Sequence, residues 1–280
     1  MLLVLGWGRS ASGHGLALPF AFWGNFSVAS VRCQRVLGAA AAWCGLGVWK
    51  VRAGCLGPLL DGGSCEVTAN DGQAQQFHLR ALDLIDRRCT SPEAQALGFL
   101  LKFEAQADMD NFCHQLETAM VSAVYGPVMS GALVPAADRV TQQCVDGMAR
   151  AATTVLRYAV HQRQRALDVI AARNLSPSDK QALIDQGTAR IERLRDRLTA
   201  EVSAECPAGE FGTIYGPTPS ALLDAIGQRA DCLAGAVYVQ SGVVCPLPVC
   251  GNGVQEVGEQ CDDGNQNNND SCRNDCTANP

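Results

Sequence analysis

The densest run of side chains able to do chemistry lies near the C-terminus, where Glu259, Asp262, Asp263, Asn265, Asn267, Asn269 and Asp270 crowd between Cys250, Cys261, Cys272 and Cys276. Carboxylate and carboxamide oxygens at such short intervals suit a hard cation, and calcium takes about six to eight oxygen ligands. Gly264 permits the tight turn that would gather them. The segment is too short for an apolar core, so crosslinks and an ion are its available sources of stability. The expected site is therefore calcium on Glu259, Asp262, Asp263, Asn265, Asn267 and Asp270. An EF-hand loop opening at Asp263 does not fit, because Asn268 stands where that loop needs glycine and Asn274 where it needs a bidentate glutamate. Zinc on Cys261, Cys272 and Cys276 would require reduced thiols in surroundings better suited to a harder ion. Four cysteines permit three connectivities, and spacing does not choose among them.

Elsewhere the reactive residues are scattered. The histidines stand at positions 14, 78, 114 and 161, on different predicted elements, and no HExxH, CxxCH, GxSxG or phosphate-binding glycine loop is present. His114 follows Cys113, but neighbours on a helix point about 100° apart, and an oxidised cysteine is no nucleophile. The chain thus reads as a non-enzyme. Two alternatives stay open: a secreted hydrolase using carboxylates such as Glu104 and Asp108 in a concave pocket, and a module holding an apolar ligand between helices. Arginines 157, 163, 165, 173, 190, 193, 195 and 197 suggest an anion-binding face. Yet residues 136–205 hold eleven bases and nine acids, the balance of a solvated, salt-bridged helix surface.

Composition bounds these readings. A chain of 280 residues with 47% hydrophobic content can bury a core. Its fourteen cysteines are spread along the length, as in a disulfide-bonded protein of an oxidising compartment. The net charge is −6, and residues 250–280 supply most of it, with six acids against the single base Arg273. This favours a cation site over a nucleic-acid partner. Residues 1–32 are apolar, with Arg9 the lone formal charge before Arg32, and are interrupted by Gly13, Gly15, Pro19 and Asn25; Val28-Ala29-Ser30 offers a cleavage site. We expect a cleaved export signal there, with a retained anchor as the alternative, and no membrane span in the mature chain.

The elements that must carry these residues are helical. Cys33, Leu37, Ala40, Cys44, Val48, Val51 and Cys55 recur at intervals of three and four, as one buried stripe would, and put three cysteines on one face. Gly57 to Gly72 is turn-rich, and a second pattern follows through Phe77, Ala81, Ile85 and Cys89, so a hairpin is expected. Its near-symmetry suggests nested bonds, Cys55 with Cys65 and Cys33 with Cys89. Thr90-Ser91-Pro92-Glu93 opens a third helix through Leu97, Leu100, Phe103, Cys113, Met120 and Val124, which Gly126, Pro127, Gly131 and Pro135 should end. Trp43 and Trp49 should pack into the bundle. Val140, Cys144, Met148, Ala151, Val155, Tyr158, Gln162, Ala166 and Val169 form a long helix, Asn174 to Asp179 breaks it, and Ile184, Gly187, Ile191, Leu194, Leu198 and Val202 return. Cys144 and Cys206 each lie 31 residues from Leu175, so an antiparallel hairpin brings them together. A last helix starts at Thr218-Pro219 and heads for Cys232 and Cys245, which can bond only if Gly235 or Gly242 breaks it. Cys206 with Cys232 competes with these pairings, and Cys44 with Cys113 follows by elimination. The fold class is all-α: long antiparallel helical hairpins cross-linked by disulfides, over 33–248, with a small irregular cysteine-rich module over 249–280.

From Val249 the chain reads VCGNGVQEVGEQCDDGNQNNNDSCRNDC. This resembles the myxobacterial cysteine-rich repeat, departing at Ser271, where that pattern usually has glycine. The preceding body resembles the helical region that often precedes such repeats in exported bacterial proteins. The resemblance implies secreted or cell-surface residence and no particular reaction. The function expected is that of an exported structural or interaction protein, with an envelope or extracellular protein as partner.

Overall fold

The computed structural model describes residues 26–61, 63–129, 139–215 and 218–238. Eight α-helices carry them: α1 (Val28–Leu56), α2 (Val67–Arg88), α3 (Ser91–Ala96), α4 (Lys102–Met129), α5 (Arg139–Ala172), α6 (Pro177–Glu205), α7 (Ala208–Tyr215) and α8 (Pro219–Val237). No strand occurs among the described residues, and the class is all-α. Helices α1 and α2 form one antiparallel hairpin, and α5 and α6 a longer one whose 34-residue arm is about 50 Å at the usual rise.

The middle of the bundle is α1, which packs against α2, α4, α5 and α8. The sequence suggested a single buried stripe; instead, burial covers several sides, taking in Leu37, Ala40, Ala41 and Val48 as well as Gln34 and Trp49. Small residues make this possible. A Cβ on Gly47 would collide with the Phe77 ring of α2, and one on Gly38 would lie 2.5 Å from the Tyr238 hydroxyl. Trp49 is buried and its indole N–H donates to Thr153 Oγ1 on α5, whereas Trp43 is half exposed beside Phe77.

The third predicted helix is two. Gly98 takes φ 105°, the left-handed region that suits glycine, and the Phe99 amide turns back to the Ala94 carbonyl at 3.1 Å. The start is as expected, with Pro92 in the first turn and the Thr90 amide donating to Glu93 Oε2. Helix α4 then runs through Gly126 and Pro127 to Met129, past the expected stop. Met109, Leu116, Met120 and Val124 bury its long inner face, and this tertiary contact outweighs the local breakers.

The break after α5 is as expected: Pro177 opens α6, and Ser176 Oγ accepts the Asp179 amide at 3.2 Å. The buried stripe of α5 rotates after Val155, because α8 as well as α6 packs on it. Leu156, Ala159, Val160, Arg163, Leu167 and Ile170 are buried, while Tyr158 and Gln162 are only half-buried. Helix α7 was not anticipated; it buries Phe211 and Ile214, and the Tyr215 hydroxyl donates to the Val124 carbonyl. Helix α8 continues through Gly235 to Val237, and the Val237 carbonyl accepts from Gln34 Nε2 at 2.5 Å.

Four disulfides fasten these helices: Cys33–Cys89, Cys44–Cys113, Cys55–Cys65 and Cys144–Cys206, with Cα separations of 5.0, 6.0, 5.0 and 4.8 Å. The nested pair, the mirror pair and the pair reached by elimination all stand. Cys206 with Cys232 is overturned, since Cys206 bonds Cys144 across the open end of the α5–α6 hairpin. Cys232 is buried on α8, and Cys245 lies outside the described residues.

Candidate functional site

The expected calcium ligands Glu259, Asp262, Asp263, Asn265, Asn267 and Asp270 lie outside the described residues, as do Cys250, Cys261, Cys272 and Cys276. Within them, two polar constellations stand out.

The first lies between α1, α2 and α4, with His78 and Glu117 buried and Asp71 and His114 at the surface. Arg52 of α1 donates through Nε to Glu117 and through Nη1 to Asn70 Oδ1 and Asp71 Oδ1, both at 2.6 Å. His78 of α2 sets Nδ1 2.6 Å from Asp110 Oδ1, while its Nε2 is 3.9 Å from Glu117 Oε2 and 3.8 Å from Cys113 Sγ. His114 stacks on His78 with ring centres 4.1 Å apart and has Nδ1 3.7 Å from Glu117 Oε2. The positions Asp110, His114 and Glu117 share one face of α4, at the four- and three-residue steps of a helix.

Burial opposes charge on both His78 and Glu117, yet the pairing wins at each. The His78 imidazolium is held above its usual range by Glu117 and Asp110, and the Glu117 carboxyl below its usual range by His78 and Arg52. Ring nitrogens of His78 and His114 and a carboxylate oxygen of Asp110 lie within 4.8 Å of one another, a set able to ligate a divalent metal. His78 Nδ1 and Asp110 Oδ1 already pair with each other, and the adjacent sulfur of Cys113 is tied to Cys44 and cannot act as a nucleophile. The cysteine that sequence reading set beside His114 is thus next to His78 of another helix, a juxtaposition only the packing supplies.

A pH dependence follows. Because its folded pKa is raised, His78 contributes stability that is fully present below about pH 6.5 and is lost as pH rises through the higher folded value. Denaturant midpoints are expected to fall as pH rises above about 6.5, and His78→Gln should flatten that slope. An unchanged slope in the variant would show that another group titrates.

The second constellation lies along the α5–α6 hairpin, where an open groove of about 580 Å³ is lined by Arg157, Tyr158, His161, Arg190, Arg193 and Arg197 together with Thr154 and Leu194. The sequence treated the arginines of this region as one salt-bridged surface; the structure divides them. Arg163 is buried, its Nε 2.5 Å from Asp231 Oδ1, and Arg195 pairs with Asp224 of α8 and Asp196. Those turned to the groove are largely left to solvent. Glu104 and Asp108 do not line it; Glu104 caps the Leu100 amide at the start of α4, and burial followed by the Glu104 charge pushes the Asp108 carboxyl up.

Comparison with known families gives a match to the family described as Domain of unknown function (DUF4215) over residues 231–277, which begins in the last turns of α8 and includes the cysteine-rich stretch. It fits a C-terminal cysteine-rich module. No curated protein matches the chain, and no solved structure does.

Proposed function

We propose that this is an exported, non-enzymatic protein whose disulfide-clamped bundle presents a rigid surface to an envelope or extracellular protein, with a calcium-stabilised cysteine-rich module at its C-terminus. The observation that carries the reading is the placement of the crosslinks. Three of the four described disulfides close long stretches of chain, joining α1 to the end of α2, α1 to α4, and the two arms of the α5–α6 hairpin. Bonds of this kind persist in oxidising compartments and are reduced in an ordinary cytosol. No described helix is long and apolar enough to cross a membrane. Leu100, Leu101 and Phe103 stand 76%, 55% and 75% exposed at the junction of α3 and α4, a cluster of the type found at protein contacts. The hydrolase reading is less well supported, because the large groove is lined by cations, not carboxylates. The apolar-ligand reading has the same difficulty.

The test is cell fractionation followed by alkylation of the denatured, unreduced protein with a maleimide of high mass. The chain is expected in the envelope or medium, with Cys33, Cys44, Cys55, Cys65, Cys89, Cys113, Cys144 and Cys206 unmodified. Recovery in the cytoplasm with these thiols labelled would overturn export. For the tail, calorimetric titration of the full chain should show calcium binding that Asp262→Asn with Asp263→Asn weakens. Absence of binding at millimolar calcium would remove the ion and leave the export reading standing.

A further inference from the structure

We propose that the groove between α5 and α6 binds a small multivalent oxyanion, one carrying at least two phosphate or sulfate groups. The inference rests on the convergence of cations from two helices and stands whether or not the chain is exported. On α6, Arg190, Arg193 and Arg197 fall at three- and four-residue steps, and on α5 Arg157 and His161 do the same, so the antiparallel pairing turns two short basic faces into opposite walls of one concavity. Tyr158 and Leu194 lie between the walls.

These charges are poorly neutralised in a chain whose net charge is −6. Helix α5 has no acid between Asp146 and Asp168. On α6, Glu192 borders a neighbouring crevice against α8, Asp196 is 3.3 Å from Arg195, and Glu201 reaches Arg197 at 3.5 Å from the end of the groove. Arg190 has only a 3.4 Å contact to the Gln162 carboxamide, and Arg157 and Arg193 have no acid partner among the described residues. Like charges held together without counter-charge repel, and a bound anion relieves that repulsion while accepting the forked donors of guanidinium.

The geometry also limits the ligand. Arg190 and Arg197 stand about 10 Å apart along the helix, with Arg157 and His161 on the opposite wall, so a ligand bearing more than one anionic group can engage several of these donors at once. Glu201, which pairs with Arg197, places an acid beyond one end of the α6 arginines, which disfavours a long polyanion running past it. A short ligand with two or three anionic groups fits, whether it is a free polyphosphate or the headgroup of a lipid.

Calorimetry on the oxidised full chain with inorganic tripolyphosphate tests this. One tripolyphosphate per chain is expected, at least about tenfold tighter than orthophosphate. Arg157→Gln with Arg193→Gln should weaken it by about tenfold or more, whereas Arg165→Gln with Arg173→Gln, the same charge change at exposed positions outside the groove, should leave it within about twofold. Sedimentation with cardiolipin vesicles, whose headgroup carries two phosphates, separates the sources. Loss of vesicle binding in the groove variant alone assigns a headgroup, and tripolyphosphate binding without vesicle binding assigns a free anion. Should the groove variant fail to fold, protection of Arg157 and Arg193 from phenylglyoxal by tripolyphosphate in the unaltered protein gives the same answer. No binding of either probe, equal weakening in the two variants, or no protection would overturn the proposal.

Discussion

Replacing Cys44 and Cys113 together by alanine is expected to lower the unfolding free energy by roughly 4 kcal/mol, and replacing Cys55 and Cys65 by roughly 3 kcal/mol, on the loop-closure estimate. The ranking comes from sequence separation, 69 residues against 10, because a crosslink restricts the unfolded chain more when it closes a longer loop. Packing widens the gap. Cys44 and Cys113 are fully buried between α1 and α4, so removing two sulfurs also leaves space in the core, while the 55–65 bond ties the end of α1 to the adjoining loop. Guanidinium titration of the oxidised proteins measures both. An equal or reversed ranking would mean that the long crosslink does not act through chain entropy.

Arg163→Ala is expected to cost about 3 to 5 kcal/mol, the usual penalty for breaking a buried ion pair from one side. Arg163 is 3% exposed and joins three helices: from α5 it reaches Asp231 of α8 through Nε at 2.5 Å and Nη2 at 3.3 Å, and Thr188 of α6 through Nη1 at 2.7 Å. Truncation strips Asp231 of its cation in a site with little water. The double change Arg163→Met with Asp231→Leu should recover most of the loss, because it removes the buried charge along with its partner. Thermal or denaturant melts of the single and double variants decide it; a double variant as unstable as the single would point to lost packing instead of a stranded carboxylate.

Much of the architecture was legible in the sequence because two independent signals agreed. The three-and-four spacing gave the helices, and cysteines placed nearly symmetrically about the turns at residue 60 and at Leu175 gave the direction of pairing. The pattern failed where packing outweighed it. Gly98, between apolar residues that continue the helical interval, has the left-handed φ that divides α3 from α4. Pro127 lies in a helix held by the burial of Met109, Leu116 and Met120 farther back. Arg163, one of eight arginines in the region, could not be told from its exposed neighbours without α8 in place, and Asp231 lies 68 residues away. The same holds for His78, whose partners Asp110, His114 and Glu117 come from another helix. Only the grouping of those three on one face of α4 was readable beforehand, from their spacing. The basic groove required knowing that α6 runs back along α5 in the register that sets Arg157 and His161 opposite Arg193 and Arg190.

The proposed role depends on rigidity, and the rigidity comes from crosslinks between helices that small residues allow to approach closely. Peptide mapping of the unreduced protein by mass spectrometry tests this most directly. Among the described residues four linked pairs are predicted, Cys33 with Cys89, Cys44 with Cys113, Cys55 with Cys65 and Cys144 with Cys206. Recovery of Cys44 and Cys113 as free thiols, or of Cys206 linked to Cys232, would contradict it.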